Sequence, residues 1–96
     1  MVKFVVEIHR SLRKEDDPKE YEIEVDGFDK TIGELISLAL QDRDDIKELC
    51  LNGTKAKPGI LYISGKHELR SLGLIDEPFT PEEDTRIKIV PVLHGG

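Results

Sequence analysis

The chain has 96 residues, 38% of them hydrophobic and 35% charged, a composition typical of a single folded domain and not of a disordered segment. Its 14 lysine and arginine residues against 20 aspartate and glutamate residues give a net charge of −6, which argues against direct binding to nucleic acid or to an anionic membrane. The single cysteine, Cys50, excludes a disulfide framework, and no apolar run approaches the roughly 20 residues of a membrane helix, so we expect a cytoplasmic protein that acts as a monomer.

The first third of the chain predicts a β-hairpin. Residues 3–9 and 20–26 both alternate apolar and polar side chains, with the period of two that indicates a half-buried strand. Asp16, Asp17 and Pro18 between them are typical of a turn. Because this connection is too short to hold a crossover helix, we expect the two strands to pair antiparallel.

The next segment predicts an amphipathic helix. Thr31 and Glu34 have the spacing of a capping box, in which the threonine oxygen accepts from the third helical N–H while the glutamate accepts from the cap N–H. Apolar side chains then recur at helical spacing, which places one stripe against the sheet. They are Ile32, Leu35, Ile36, Ala39 and Leu40.

The second half of the chain predicts further strands separated by turns. Residues 46–51 fit either a short strand or a helical turn, and Asn52 with Gly53 is a strong turn signal. The strands expected after that turn are residues 60–63, a short edge strand at 67–69 and a final strand at 86–93. This order predicts an α+β fold of the β-grasp kind, with a mixed sheet of four to five strands packed on one main helix. Residues 1–92 form the expected β-grasp domain, and residues 93–96 a flexible C-terminal tail.

No set of residues in the sequence has the pattern of a catalytic or metal site. His9 and His67 fall on predicted strands, whereas His94 lies in the tail. Cys50 stands between two leucines with no base nearby in the sequence, which favours a buried core residue over a nucleophile. We therefore expect a protein that is not an enzyme and that holds no metal or cofactor.

The end of the chain is the segment that points to a function. Leu93, His94, Gly95 and Gly96 follow the last predicted strand and are either a frayed terminus or a segment that threads into a partner. Four extended residues reach about 13 Å, and glycine has no side chain to obstruct a narrow channel. An enzyme could present the Gly96 carboxylate to ATP, and attack on the α-phosphate would give an acyl-adenylate open to a thiol or persulfide.

Two segments of the sequence match a known family. The first comprises Glu48, Leu49, Gly53, Thr54, Lys57, Pro58, Gly59, Ile60 and Leu61, and the second is the terminal Leu-His-Gly-Gly. By these motifs the chain resembles the Urm-type ubiquitin-related modifiers, which double as sulfur carriers in tRNA thiolation. The resemblance implies a ubiquitin-like β-grasp fold over most of the chain.

The resemblance also implies a mechanism. A ubiquitin-activating-type enzyme would adenylate Gly96, and sulfur transfer would then convert it to a thiocarboxylate. A tRNA thiolation enzyme would use that sulfur for 2-thiolation of the wobble uridine, and the same activated end could form an isopeptide bond with lysines of target proteins. Gly95 would be required because glycine has no side chain, and Leu93 and His94 would form the rest of the threading segment.

The partner surface and the choice among carriers leave alternatives open. We expect Ile60, Tyr62 and Val90 to face outward as an apolar patch for the activating enzyme, unless some of these side chains belong to the core. One alternative function is a sulfur carrier for molybdopterin or thiamine synthesis, acting as the small subunit of a synthase. Another is a β-grasp interaction module whose tail carries no chemistry.

Overall fold

The computed structural model describes residues 2–26, 29–79 and 82–92, which form an α+β fold. The strands are β1 (Val2–Ile8), β2 (Glu20–Val25), β3 (Leu51–Asn52), β4 (Lys55–Ala56), β5 (Ile60–Ser64), β6 (His67–Glu68) and β7 (Thr85–Pro91). The helices are α1 (Ile32–Ala39), α2 (Asp44–Cys50) and a single 3-10 turn (Arg10–Leu12). Within these three stretches, no helix is long and apolar enough to cross a bilayer.

The main sheet has five strands in the order β2-β1-β7-β5-β6. β1 and β7 pair in parallel, and the other neighbours pair antiparallel. The first and the last strand are therefore adjacent near the middle of the sheet. The expected first hairpin is confirmed by the antiparallel β1–β2 pair, and the predicted turn at Asn52 and Gly53 joins β3 to β4 in a separate small hairpin.

The hydrophobic core lies between one face of this sheet and the helices. The predicted alternation in β1 is confirmed, because Phe4, Val6 and Ile8 are at most 1% exposed. From β7, Ile87 and Ile89 reach the same core and are fully buried. Each such side chain contributes about 1.5–3 kcal/mol on leaving water, so the inner faces of these two strands stabilise the domain most directly.

Helix α1 begins at the predicted capping box. The Thr31 hydroxyl accepts from the Glu34 N–H at 3.1 Å, and a Glu34 carboxylate oxygen accepts from the Thr31 N–H at 2.9 Å. A cap of this kind stabilises a helix by about 1 kcal/mol. Leu35 and Ile36 of the apolar stripe are buried under the sheet, while Leu38, which lies off the stripe, is 36% exposed.

The ambiguous segment 46–51 contains the end of a helix and the start of a strand. Helix α2 buries Ile46 and Cys50, which are four residues apart and so lie on one helical face. Leu51 then begins β3 in extended conformation. The prediction that Cys50 is a core residue is confirmed.

The first turn of α1 packs against backbone at Gly33. The Gly33 N–H donates to the Ile75 carbonyl at 3.0 Å. A Cβ atom at this position would lie 2.0 Å from the Thr54 carbonyl oxygen, far inside van der Waals contact. Glycine is therefore required here by the close approach of the β3–β4 turn to the helix.

We expect Gly33→Ala to destabilise the protein by about 1–3 kcal/mol, the cost of overpacking a tight contact. The direction of the change separates this contact from helix propensity, because replacing glycine by alanine in an exposed helix would instead stabilise the protein by about 1 kcal/mol. Urea unfolding would measure the change, with Ser37→Ala in the same helix as the control. A Gly33→Ala protein as stable as the parent would contradict the contact.

Candidate functional site

The tail residues predicted to carry the chemistry, Leu93, His94, Gly95 and Gly96, lie outside the described residues. The candidate site is therefore the set of backbone contacts that fix the chain as far as Val92. Strand β7 pairs with β1 over residues 85–89 and with β5 over residues 88–91, so each of its residues has a partner strand on at least one side. Beyond the strand, the Val92 N–H donates to the Gly59 carbonyl at 2.8 Å, so the backbone is fixed up to the residue before the tail.

A tight turn positions the carbonyl that holds Val92. The Ile60 N–H donates to the Lys57 carbonyl at 3.2 Å, which closes a four-residue turn with Pro58 and Gly59 at its centre. Gly59 has a φ of +85°, the left-handed value that the third position of a type II turn requires. The Pro-Gly pair of the sequence motif thus forms the turn whose carbonyl holds the chain at the point where it leaves the sheet.

The outer face of β5 and β7 carries half-buried apolar side chains beside this exit point. Leu61 is paired directly with Val90 across the two strands, and Ile63 with Lys88. Leu61, Ile63 and Val90 are intermediate in exposure and are not among the side chains that pack on the core. With Val92 they form what we term the exit face, a half-buried apolar surface on the side of the sheet away from the core.

The prediction that Ile60 and Tyr62 face outward is wrong. Ile60 is 6% exposed and Tyr62 is fully buried. Successive side chains in a strand point to opposite faces, so a shift of one residue exchanges the two sets. Val90 does face outward, and its strand partner Leu61 is the residue that the sequence analysis missed.

Hydrogen bonds fix the inward orientation of Tyr62. Its hydroxyl donates to the Cys50 carbonyl and accepts from the Lys57 N–H, the latter at 2.9 Å. The tyrosine thereby joins the end of α2 to the turn that precedes β5. Burial raises the pKa of the Cys50 thiol to about 12, so this thiol stays protonated and is not a nucleophile at neutral pH.

A carboxylate secures the far end of β5. Glu68 accepts from the backbone N–H groups of Tyr62, Arg70 and Ser71 at 2.9, 3.0 and 2.7 Å. Burial raises the pKa of Glu68, but the Ser71 hydroxyl and these N–H donors outweigh that effect and lower the pKa to about 2. The ionised carboxylate is therefore part of the folded structure.

Ion pairs occupy the outer face between β1 and β7. Arg86 pairs with Glu7 at 3.1 Å and also with Glu20, and Lys88 pairs with Glu7 at 3.7 Å. Exposed pairs of this kind contribute about 0–1 kcal/mol each, so their main effect is to neutralise the centre of the face. Across residues 2–26, 29–79 and 82–92, no group of three or more histidine, cysteine or acidic side chains is placed to hold a metal ion.

Comparisons with known proteins identify the fold. In comparisons by sequence, neither a protein-family profile nor a curated protein matches the chain. Among solved structures, SAMP1 from Haloferax volcanii has a TM-score of 0.72 at 12% identity, over 98% of this chain and 99% of that one. The chain has a ubiquitin-like β-grasp fold, as the sequence predicts.

Two further structures share this fold. A chain of the BexX/CysO complex from Amycolatopsis orientalis has a TM-score of 0.67 at 21% identity, over 97% of this chain and 99% of that one. CysO of Mycobacterium tuberculosis, described as an antigen, has a TM-score of 0.65 at 18% identity, over 94% of this chain and 99% of that one. The near-complete coverage on both sides means that the whole β-grasp architecture is shared.

We expect Glu68→Gln to make the free energy of unfolding less sensitive to acidic pH. The pKa of Glu68 is about 2 in the folded protein against an ordinary 4.5, so its contribution is complete above pH 4.5 and is lost as the pH falls toward 2. The variant should be less stable by about 1 kcal/mol at neutral pH, a value discounted for solvent screening, and should lose less stability between those two pH values.

Urea midpoints measured across that pH range would test this prediction, with Glu15→Gln, an exposed loop carboxylate, as the control. Equal acid sensitivity of Glu68→Gln and the parent protein would show that the hydrogen bonds to Glu68 do not depend on its charge.

Proposed function

We propose that this chain is a ubiquitin-like sulfur carrier and protein modifier of the Urm type, with the Gly96 carboxylate as its reactive group. The observation that carries the proposal is that the backbone is anchored at Val92, which follows the central strand β7 and directly precedes Leu-His-Gly-Gly. Solved structures with this fold include a small archaeal modifier protein and a BexX/CysO complex, which supports a carrier or modifier that works with a partner protein.

The chemistry is supplied by partners, and the chain is their co-substrate. A ubiquitin-activating-type enzyme would direct the Gly96 carboxylate onto the α-phosphorus of ATP, forming the acyl-adenylate and releasing pyrophosphate. The terminal sulfur of an enzyme persulfide would then attack the carbonyl and displace AMP, giving an acyl disulfide. A thiol would cleave that disulfide and leave the thiocarboxylate on Gly96.

The tail residues have separate roles in this scheme. Gly95 would pass through a narrow channel because it has no side chain, and Leu93 and His94 would span the distance from Val92 to that channel. Four extended residues cover about 13 Å. Ordering them costs about 1–2 kcal/mol of backbone entropy per residue, so a second contact on the folded domain is needed to offset that cost.

The exit face is suited to provide this second contact. Val90 lies on β7, the strand from which the tail departs, and Leu61 and Ile63 lie on its neighbour β5, so a partner that holds the tail would cover them at the same time. Their burial contributes about 25 cal/mol per Å² of apolar surface removed from water. Leu61 and Ile63 replace Ile60 and Tyr62 as the partner-binding candidates, and Val90 is retained.

The downstream acceptors follow from the family resemblance. A tRNA thiolation enzyme would take the sulfur for the wobble uridine, and lysines of target proteins would accept the activated end. The net charge of −6 favours transfer through these proteins over direct contact with RNA. The Leu-His pair before the glycines favours this assignment over a carrier for molybdopterin or thiamine synthesis. We place these reactions in the cytoplasm.

We expect Gly95→Val to block adenylation without changing the stability of the domain, because the added side chain obstructs the channel and restricts the backbone. ATP–pyrophosphate exchange with the activating enzyme of the same host would report the loss, and the unfolding midpoint would report the fold. Leu72→Val, at an exposed position outside the tail, is the control. Normal exchange by Gly95→Val would contradict the threading role.

Intact-mass analysis of the protein purified from its own host completes this test. Replacement of one oxygen by sulfur at Gly96 is the expected result, and it would separate both carrier functions from a plain interaction module. Co-purification with a synthase large subunit, without any thiolation defect in tRNA when the gene is deleted, would favour the molybdopterin or thiamine alternative.

We expect Leu61→Glu to raise the KM for the activating enzyme by about tenfold with little change in kcat, because the contact binds the domain and does not touch the reacting atoms. Leu72→Glu, at a leucine that is 55% exposed and lies outside β5 and β7, is the matched control. Equal KM values for the two variants would remove the exit face from the proposal.

A further inference from the structure

Strand β2 is an edge strand of the sheet that the described residues form. The Ile8 N–H donates to the Lys19 carbonyl at 2.8 Å, and the β1–β2 register continues from that pair. Backbone groups in an antiparallel pair alternate between the partner strand and the opposite side. The N–H and C=O groups of Glu20, Glu22 and Glu24 therefore point away from β1, where a further strand could bond to them.

A groove runs along this edge, between β2 and helix α1. It has a volume of about 210 Å³, below the roughly 300–1,000 Å³ of sites that enclose a small molecule. Its apolar lining comes from both elements: Ile23 and Val25 of β2, Leu35 and Leu38 of α1, and Phe79. Leu38 is 36% exposed, so this helix presents a large apolar side chain to the groove.

The outer side of the same edge is acidic. Glu22 and Glu24 are exposed, and within the described stretches neither forms an ion pair. Two copies of the chain paired through β2 would bring these carboxylates together, and like charges on neighbouring strands are destabilising. The charge favours a different partner, one that carries basic side chains.

We propose that the β2 edge and the adjoining groove form a docking site for an extended segment of a partner protein in which apolar and basic residues alternate. The segment adds to the sheet as a sixth strand. Because side chains alternate between the two faces, every second residue enters the groove beside Ile23, Val25 and Leu38. The residues between them lie on the outer face beside Glu22 and Glu24, where lysine or arginine side chains pair with these two carboxylates.

This docking site is separate from the exit face. Only β1 lies between β2 and β7, the nearer strand of the exit face, so at about 4.8 Å per strand spacing the two strands are about 10 Å apart. The groove also opens on the helical side of the sheet, whereas the exit face lies on the other side. A partner bound at β2 therefore leaves the tail free for its own chemistry, and the proposal does not depend on that chemistry.

Titration of the isotope-labelled protein with two synthetic peptides tests the proposal. One peptide alternates lysine and valine, and the other has the same composition with the two residue types in separate blocks. We expect the alternating peptide to bind below about 1 mM and to shift the amide resonances of β2 and α1. The block peptide should bind at least about tenfold more weakly, because it cannot place apolar and basic side chains on opposite faces at once.

Variants assign the contacts. Leu38→Glu tests the groove, and the double substitution Glu22→Lys with Glu24→Lys tests the charge; each should weaken the alternating peptide by about tenfold. Leu72→Glu and Glu15→Lys, at exposed positions outside this edge, are the matched controls and should bind as the parent does. Unfolding midpoints verify that each variant is folded.

Three results with the parent protein would overturn the proposal. They are the absence of binding at about 1 mM peptide, equal affinity for the two peptides, and resonance shifts confined to residues outside β2 and α1. Retained binding in both Leu38→Glu and the double lysine variant would do the same, since one contact or the other must be lost if the peptide lies on this edge.

Discussion

The parallel pairing of β1 with β7 is the contact on which the rest of the structure depends. It joins residues from opposite ends of the chain, from Phe4 with Thr85 to Ile8 with Ile89. Both strands send fully buried side chains into the core, so the pairing and the core form together. Since β7 also pairs with β5, the strand that leads to the tail has a hydrogen-bonded neighbour on each side.

Much of this architecture follows from local patterns in the sequence. Strict alternation identifies β2, and the capping box places the start of α1 at the residue where the structure has it. The run at β5 contains only apolar residues before Ser64, so alternation cannot tell which side chains face inward. Tyr62 faces inward, where its hydroxyl donates a hydrogen bond to the Cys50 carbonyl. Because this bond joins residues from separate elements, local alternation does not reveal it.

Other features depend equally on contacts between distant segments. Gly33 reads in the sequence as an ordinary break in a helical pattern, yet its lack of a side chain admits the Thr54 carbonyl. The β2–α1 groove exists because a strand and a helix that are each readable in sequence come to lie side by side. Sequence periodicity gives the faces of single elements, whereas a site between elements requires their relative placement.

The distribution of charge separates the two candidate surfaces. Arg86 and Lys88 are paired with Glu7 and Glu20, which leaves little net field at the centre of the outer face. The apolar side chains of the exit face lie on β5 and β7, and the exposed carboxylates of Glu22 and Glu24 lie at the β2 edge, where Lys3 is opposite Glu24 in the register. The proposed basic segment would therefore be attracted to β2 over about a Debye length, roughly 8–10 Å at physiological salt, whereas the proposed exit face would act only at contact. Because one proposed site combines charge with a groove at an edge strand and the other uses apolar burial on interior strands, two partners would not compete for the same surface.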